Sequence, residues 1–347
     1  DIVFGDWSSD VCSSDLSGFF ALVVALFFFL PLSLSAQERL AGKGPLEGKN
    51  FSPHFGIFFT LPGLSALPPP DTRFSIGGGL YLSQEFLAAL EGEEIKRFSD
   101  FECLSVEASF RWYPSPALQL GVGTRVYYYY GGFLDGSVQL FHELLGFSNA
   151  NREEFPAGEV YVDYATEEGY TFRLDSPAIG LGDIDLWAAW AFFRGSSVAA
   201  ALFGGIKIPT GSMATLSGSG SADLAAALLL DARLSGRWSA YVNAGVVLPR
   251  DLAPMVQAIS ALEYALGPRL SLLAQLNAKS AALHGSAFRP NNLGLLGDQL
   301  SFPQTNILVG LRCTLPGWLL QLYVEEDAFT NNGVDFTFNM ACHRLFE

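Results

Sequence analysis

Between Gly180 and Leu248 apolar and polar positions alternate with a period of two, four times over. Ile184, Leu186, Ala188, Trp190 and Phe192 stand against Asp183, Asp185, Trp187, Ala189 and Ala191. Ala200, Leu202, Gly204, Ile206 and Ile208 stand against Ala199, Ala201, Phe203, Gly205 and Lys207. Leu224, Ala226, Leu228 and Leu230 then oppose Asp223, Asp231 and Arg233, and Ala240, Val242, Ala244, Val246 and Leu248 oppose Ser239, Tyr241 and Asn243. A period of two sends successive side chains to opposite faces of a β-strand. One face is oily throughout and the other mixes acids, bases and small residues, the pattern of a strand with lipid outside and water inside.

The same parity runs through 74–82, 104–112, 118–130, 256–266, 270–279, 305–314, 318–325 and 334–346, which brings the count to twelve. The connections alternate in length: short at 113–116, 194–197, 235–237, 267–268 and 316–317, long in between. Bacterial outer-membrane barrels have short periplasmic turns and long external loops. With that orientation the outward aromatics Phe74, Trp112, Phe192, Trp238, Tyr264, Trp318 and Phe346 all fall at the short-turn end, as an interfacial girdle requires. The fold class is therefore all-β: a transmembrane antiparallel up-and-down β-barrel of twelve strands over 73–347, with one short loop helix.

Three segments stand outside the plain pattern. Residues 40–62 contain an apolar stretch, 55–59, that would give an odd strand count if it spanned, so 37–72 is expected to precede the barrel or lie in it. Residues 135–146 begin with a capping Asp135 and carry Val138, Phe141, Leu144 and Leu145 on one helical face, hence the loop helix. Residues 159–174 form a Tyr-rich alternating hairpin turning at 166–169, which either lengthens a loop or adds two strands and makes fourteen.

Composition narrows the class. The 347 residues are 50% hydrophobic and only 16% charged, with 36 glycines, too oily for an ordinary acidic soluble enzyme. The only long apolar run, 19–34, excludes a polytopic helical membrane protein, since each helical span needs about 20 apolar residues. It is followed by Ser35, Ala36 and Gln37, so 17–36 reads as a signal peptide cleaved near Ala36. Residues 10–16 look like the translation of a sequencing adapter, and 1–16 are set aside. Residues 1–36 hold no Lys or Arg and four Asp, which leaves 20 basic against 31 acidic residues, or 11 net negative charges. Such a chain makes no electrostatic case for nucleic acid. Cys103, Cys313 and Cys342 are too far apart for a disulfide framework or a metal site.

Chemistry concentrates on the inward face. Glu107, Asp183, Asp185, Asp223, Asp231, Glu263, Glu325 and Asp335 are set against Arg73, Arg111, Arg125, Lys207, Arg233, Lys279 and Arg312. Eight acids against seven bases do not make the single-sign rings of a strongly ion-selective pore. Two readings follow: a polar path for small molecules, or a lumen filled by ion pairs and partly plugged. A third, an outer-membrane hydrolase using His142, His284 and Ser286, has only sequence proximity behind it. His142-Glu143 has glycine where a zinc helix needs its second histidine, and Gly180-Leu181-Gly182-Asp183 opens a strand where a phosphate loop opens a helix. No cofactor or metal is called for.

The segments Gly131-Gly132-Phe133-Leu134-Asp135-Gly136, Phe141-His142, Leu145-Gly146-Phe147, Asn151-Arg152, Gly180-Leu181-Gly182-Asp183, Gly204 to Gly211 and Gly218-Ser219-Gly220 resemble the domain-of-unknown-function 3187 family of Gram-negative exported proteins. The later pieces are also similar to the outer-membrane family associated with phenol meta-cleavage pathways, although Ser212 stands where many relatives have Asp. The second resemblance implies a porin-like channel or transporter for small molecules, hydrophobic or aromatic ones among them; the first family has no established activity, so that resemblance supports the barrel and leaves the cargo open. The oily outward face makes outer-membrane lipid a partner, and the last strand, with Val334, Phe336, Phe338 and Met340 outward and an aromatic close at Phe346, looks like the C-terminal signal read by the barrel-assembly machinery. Pro209-Thr210-Gly211 itself reads as the bend ending an upward strand.

Overall fold

The computed structural model describes residues 43–49, 52–91, 94–145, 152–166, 168–281, 283, 303–327 and 334–347. Among these, twelve strands close an antiparallel barrel. They are β1 (Phe74–Glu91), β2 (Glu94–Ser115), β3 (Leu118–Tyr130), β7 (Ile184–Arg194), β8 (Val198–Ile208), β9 (Asp223–Arg233), β10 (Trp238–Pro249), β11 (Met255–Ala265), β12 (Leu270–Lys279), β13 (Gln304–Leu315), β14 (Trp318–Glu326) and β15 (Phe336–Phe346). Each pairs with its neighbours in order, and β15 returns to β1 from Phe74↔Phe346 to Gln84↔Phe336. Closure leaves no unpaired edge within the lipid, which is what a spanning sheet demands.

The remaining strands settle the count. The hairpin of β4 (Tyr161–Ala165) and β5 (Thr171–Leu174) joins the wall only at the external end of β2, through Ser99↔Val162 and Asp100↔Tyr161. It lengthens a loop and crosses nothing. β6 (Ala178–Leu181) pairs with the upper half of β3 and β7 with the lower half, so the two are one crossing interrupted at Gly182-Asp183.

Strands β1 and β2 run 18 and 22 residues, well past the 74–82 and 104–112 expected from alternation. The oily outward face stops where lipid stops, whereas main-chain pairing continues to Glu91↔Glu94. The loop helix, α2 (Asp135–Leu145), forms where its apolar spacing places it. Asp135 does not act as its cap: the carboxylate accepts from Arg152 at 2.5 Å and from the Gly158 amide at 2.9 Å, tying the loop to the barrel mouth.

Outward side chains such as Val106, Leu202, Leu228, Leu272 and Met340 are exposed on the lipid face. At the short-turn end Phe74 stacks on Phe346 at 4.6 Å between centroids, Trp238 lies 4.8 Å from Tyr264, and Arg344 sits over Trp318 at 5.1 Å. Packed apolar residues lie inside the barrel, where Phe55, Ile57, Phe59, Leu61 and Leu64 of the segment before β1 bury against Tyr127, Tyr129 and Phe203.

Candidate functional site: the lumen and its N-terminal hairpin

Residues 43–49 and 52–72 lie inside the barrel as the two limbs of a hairpin. Its rising limb starts at the short-turn end, where Arg312 donates to the carbonyls of Gly44 (2.6 Å) and Pro45 (3.0 Å) and to Glu263 (2.9 Å). Higher up, Leu46 pairs with Gln275, the Glu47 amide donates to Gln321, and Lys49 lies 3.4 Å from Glu107. The short helix α1 (Pro53–Gly56) turns the chain at the external end, where His54 meets the Tyr164 hydroxyl of β4 at 3.3 Å. The falling limb then passes Asp223, Gln257, Asn243 and Asp231 on the wall. It leaves at Arg73, whose amide donates to Phe346 O at 2.7 Å. Both limbs open toward the periplasm.

Glu47 lies on the hairpin, outside the spanning strands. Burial alone would raise its pKa, but Arg111 at 2.8 Å, His343 at 2.9 Å and Lys49 outweigh that and hold the carboxyl well below its usual range.

At the hairpin's apex the glycine motifs of the sequence converge. Lys207 is fully buried and binds Asp183 (2.8 Å), Asp223 (3.2 Å), Ser219 Oγ (2.7 Å) and the Ile57 carbonyl (2.6 Å). Asp183 in turn accepts from the Gly211 amide at 2.7 Å, and Thr210 Oγ1 donates to Gly182 O at 2.8 Å. A Cβ on Gly218 would stand 2.6 Å from the Asp183 carboxylate, so a side chain there would displace it. The Pro209-Thr210-Gly211 bend thus does more than turn the chain: it fixes the acid that orients Lys207.

The other inward residues divide into three groups. Glu107, Arg125 and Asp185 form one mid-height cluster, with Arg125 3.1 Å from Glu107 and 3.4 Å from Asp185. Arg111, Asp231, Glu263, Lys279, Arg312 and Glu325 face the hairpin or each other, Lys279 reaching Thr60 at 3.1 Å and Glu325 accepting from Asn306 at 2.7 Å. The third group lies at the rims and corrects the expectation that all fifteen line the lumen. Arg73 is exposed at the periplasmic mouth because it precedes β1, and Arg233 ends β9 at a short turn, half-buried. Asp335 precedes β15 at the external mouth, accepting from the Phe86 amide at 2.9 Å.

The expectation also lacked the wall amides. Gln119, Asn243, Gln257, Gln275 and Gln321 share the inward parity and bind the hairpin's main chain, but being uncharged they did not stand out. Of the hydrolase candidates, His284, Ser286 and the His142 side chain lie outside the described residues.

Two cavities among the described residues of the lumen are small. A cavity of about 30 Å³ lies beside Lys49, Glu107, Arg125 and Asp185, and one of about 20 Å³ beside Lys43, Arg111 and His343. Each has room for roughly one or two waters. A vestibule of about 1130 Å³ opens at the periplasmic mouth between Leu67 of the hairpin, Arg73, Tyr113, Arg194 and Glu347.

The model of the family described as protein of unknown function (DUF3187) matches residues 21–345. The chain belongs to that family. No curated protein matches it. Among solved structures it is similar to the COG4313 outer membrane channel from Pseudomonas putida F1, with 14% identity over 83% of this chain and 100% of that one and a TM-score of 0.52. It also matches the Pseudomonas putida toluene transporter TodX (10% identity, 88% and 99% covered, TM-score 0.36) and the KdgM porin (9%, 79% and 99%, TM-score 0.41). The first of these likenesses shows the fold, a closed antiparallel β-barrel; the other two are too loose to add to it.

Proposed function

We propose that this family member is a porin-like outer-membrane channel for small solutes, closed by its own N-terminal hairpin. The observation that carries the proposal is how the hairpin is held. Every hairpin-to-wall bond described above for residues 43–66 uses a wall side chain, whereas the wall closes on itself through main-chain ladders. The hairpin therefore occupies a lumen that the wall does not need it to complete. A barrel built solid fills its interior with its own wall side chains. The solved barrel of the same fold is described as an outer-membrane channel, which supports the reading.

The lining of Gln, Asn, Asp, Glu, Lys and Arg favours polar solutes. Catalysis has no part in the proposal. Export through a cleaved signal at 17–36, insertion by the barrel-assembly machinery and a lipid-bathed outer face belong to the same reading. A second reading, a permanently sealed structural or partner-binding barrel, is favoured by the small size of the internal cavities.

Proteoliposome swelling separates the two. Proline at 46, 61 and 64 removes three hairpin N–H groups and leaves the wall unchanged. If the Leu46→Pro/Leu61→Pro/Leu64→Pro chain admits sugars and amino acids faster than the unaltered chain, the channel reading stands. A folded variant that admits nothing supports the sealed barrel.

A further inference from the structure

The wall amides do not read the hairpin's side chains. Asn243 accepts from the Leu64 amide and donates to the Leu64 carbonyl, both at 3.0 Å. Gln275 does the same for Leu46 at 2.7 and 3.1 Å. Gln257 accepts from the Leu61 amide at 3.0 Å and donates to Phe59 O at 2.9 Å, and Gln119 donates to Ser65 O at 2.9 Å. Gln321 accepts from the Glu47 amide at 3.2 Å.

A carboxamide carries a donor and an acceptor about as far apart as those along one edge of an extended peptide, so it pairs with main chain as a neighbouring strand would. The five amides come from β3, β10, β11, β12 and β14, all with the inward parity, and serve both limbs. Their contacts are with atoms that every residue possesses, proline's missing N–H aside.

We infer that the lumen is a binding site for a short polypeptide in extended conformation, recognised through its main chain, and that the hairpin is its resident internal ligand. A second peptide entering from the periplasmic vestibule takes the same amides once the hairpin leaves. This inference rests on the reading that the hairpin is separable from the wall, and it names a ligand class for that lumen.

The test uses the full Leu46→Pro/Leu61→Pro/Leu64→Pro chain in detergent micelles. Its probes are fluorescein-labelled peptides of the sequence 57–66, of the same residues shuffled around a fixed proline, and of 57–66 N-methylated at the positions matching Phe59, Leu61, Leu64 and Ala66. Fluorescence anisotropy should show the native and shuffled peptides binding within about threefold of each other. N-methylation should weaken binding by at least tenfold, and Asn243→Leu or Gln257→Leu in the wall by roughly tenfold each.

A shuffled peptide that fails to bind, or an N-methylated one that binds as well as the native, overturns the inference. If the triple variant does not give the heat-modifiable band of a folded barrel, Leu64→Pro alone carries the same assay. Conductance of the same preparations keeps the two claims apart. Peptide binding without conductance contradicts the channel and leaves the peptide site standing; conductance without peptide binding does the reverse.

Discussion

Replacing Lys207 by methionine tests whether the glycine motifs grip the hairpin. The ammonium is fully buried between Asp183 and Asp223, at 2.8 and 3.2 Å, and donates to the Ile57 carbonyl at 2.6 Å. Removing one partner from a buried ion pair costs about 3–5 kcal/mol, because the other charge stays behind. Most of that loss falls on the wall loop that carries Asp183. The share specific to the hairpin is one charge-assisted hydrogen bond, about 1.5–3 kcal/mol, which raises the undocked population roughly ten- to hundredfold.

Ala66 is a suitable reporter, being fully buried with only its main chain bonded to Asp231. Ala66→Cys is placed in a chain whose Cys103, Cys313 and Cys342 are alanine, and labelling by a membrane-impermeant maleimide is timed. The account expects Lys207→Met to accelerate labelling by that factor. Lys207→Arg, which keeps the charge, should restore most of the protection. An unchanged labelling rate in a folded Lys207→Met barrel would refute the idea that Lys207 holds the hairpin.

Other consequences are open to measurement. Because Glu47 titrates below its unfolded value, its contribution is complete above the usual carboxylate range and is lost as pH falls through the folded pKa. Maleimide labelling at Ala66→Cys, expressed as the ratio to the rate of a free thiol at the same pH so that loss of thiolate cancels, should therefore rise below about pH 4.5, and Glu47→Gln should flatten that dependence while quickening labelling at pH 7. Arg152 lies 3.1 Å from Asp100, 2.5 Å from Asp135 and 3.8 Å from Asp335, so Arg152→Met should expose the external loops to limited proteolysis with the barrel band intact. Leu228, mid-strand on the lipid face of β9, should cost roughly 2–4 kcal/mol as arginine in vesicle refolding titrations.

Much of this architecture was legible in the chain, for a physical reason. Lipid on one side and water on the other impose a strict period of two, so β3 and β12 appear at the boundaries that alternation assigns to them. The girdle was legible too, since Phe74, Trp238 and Trp318 combine outward parity with a short turn. What the pattern could not convey is anything set by contacts between segments distant in sequence. Arg312 and the Gly44 carbonyl are 268 residues apart, and no local periodicity marks them as partners.

The balance of eight acids against seven bases was likewise incomplete. Lys43, Glu47 and Lys49 enter from the hairpin and share the same ion pairs, while Arg73 and Asp335 sit at the mouths. Asn and Gln carry no charge to mark them on the inward face, yet in this lumen it is neutral amides that bond the hairpin's main chain. Gly182-Asp183 looked like a turn into a strand. It is an interruption within one crossing of the wall, placed so that Asp183 can face Lys207.

The central claim is that the hairpin, and not the wall, closes this barrel. Single-channel recording in planar bilayers tests it most directly, with the unaltered chain compared against the Leu46→Pro/Leu61→Pro/Leu64→Pro chain. The account predicts a closed baseline with rare openings for the first and a sustained ohmic conductance for the second. A triple variant that migrates as a folded barrel, labels rapidly at Ala66→Cys and still passes no current would contradict it.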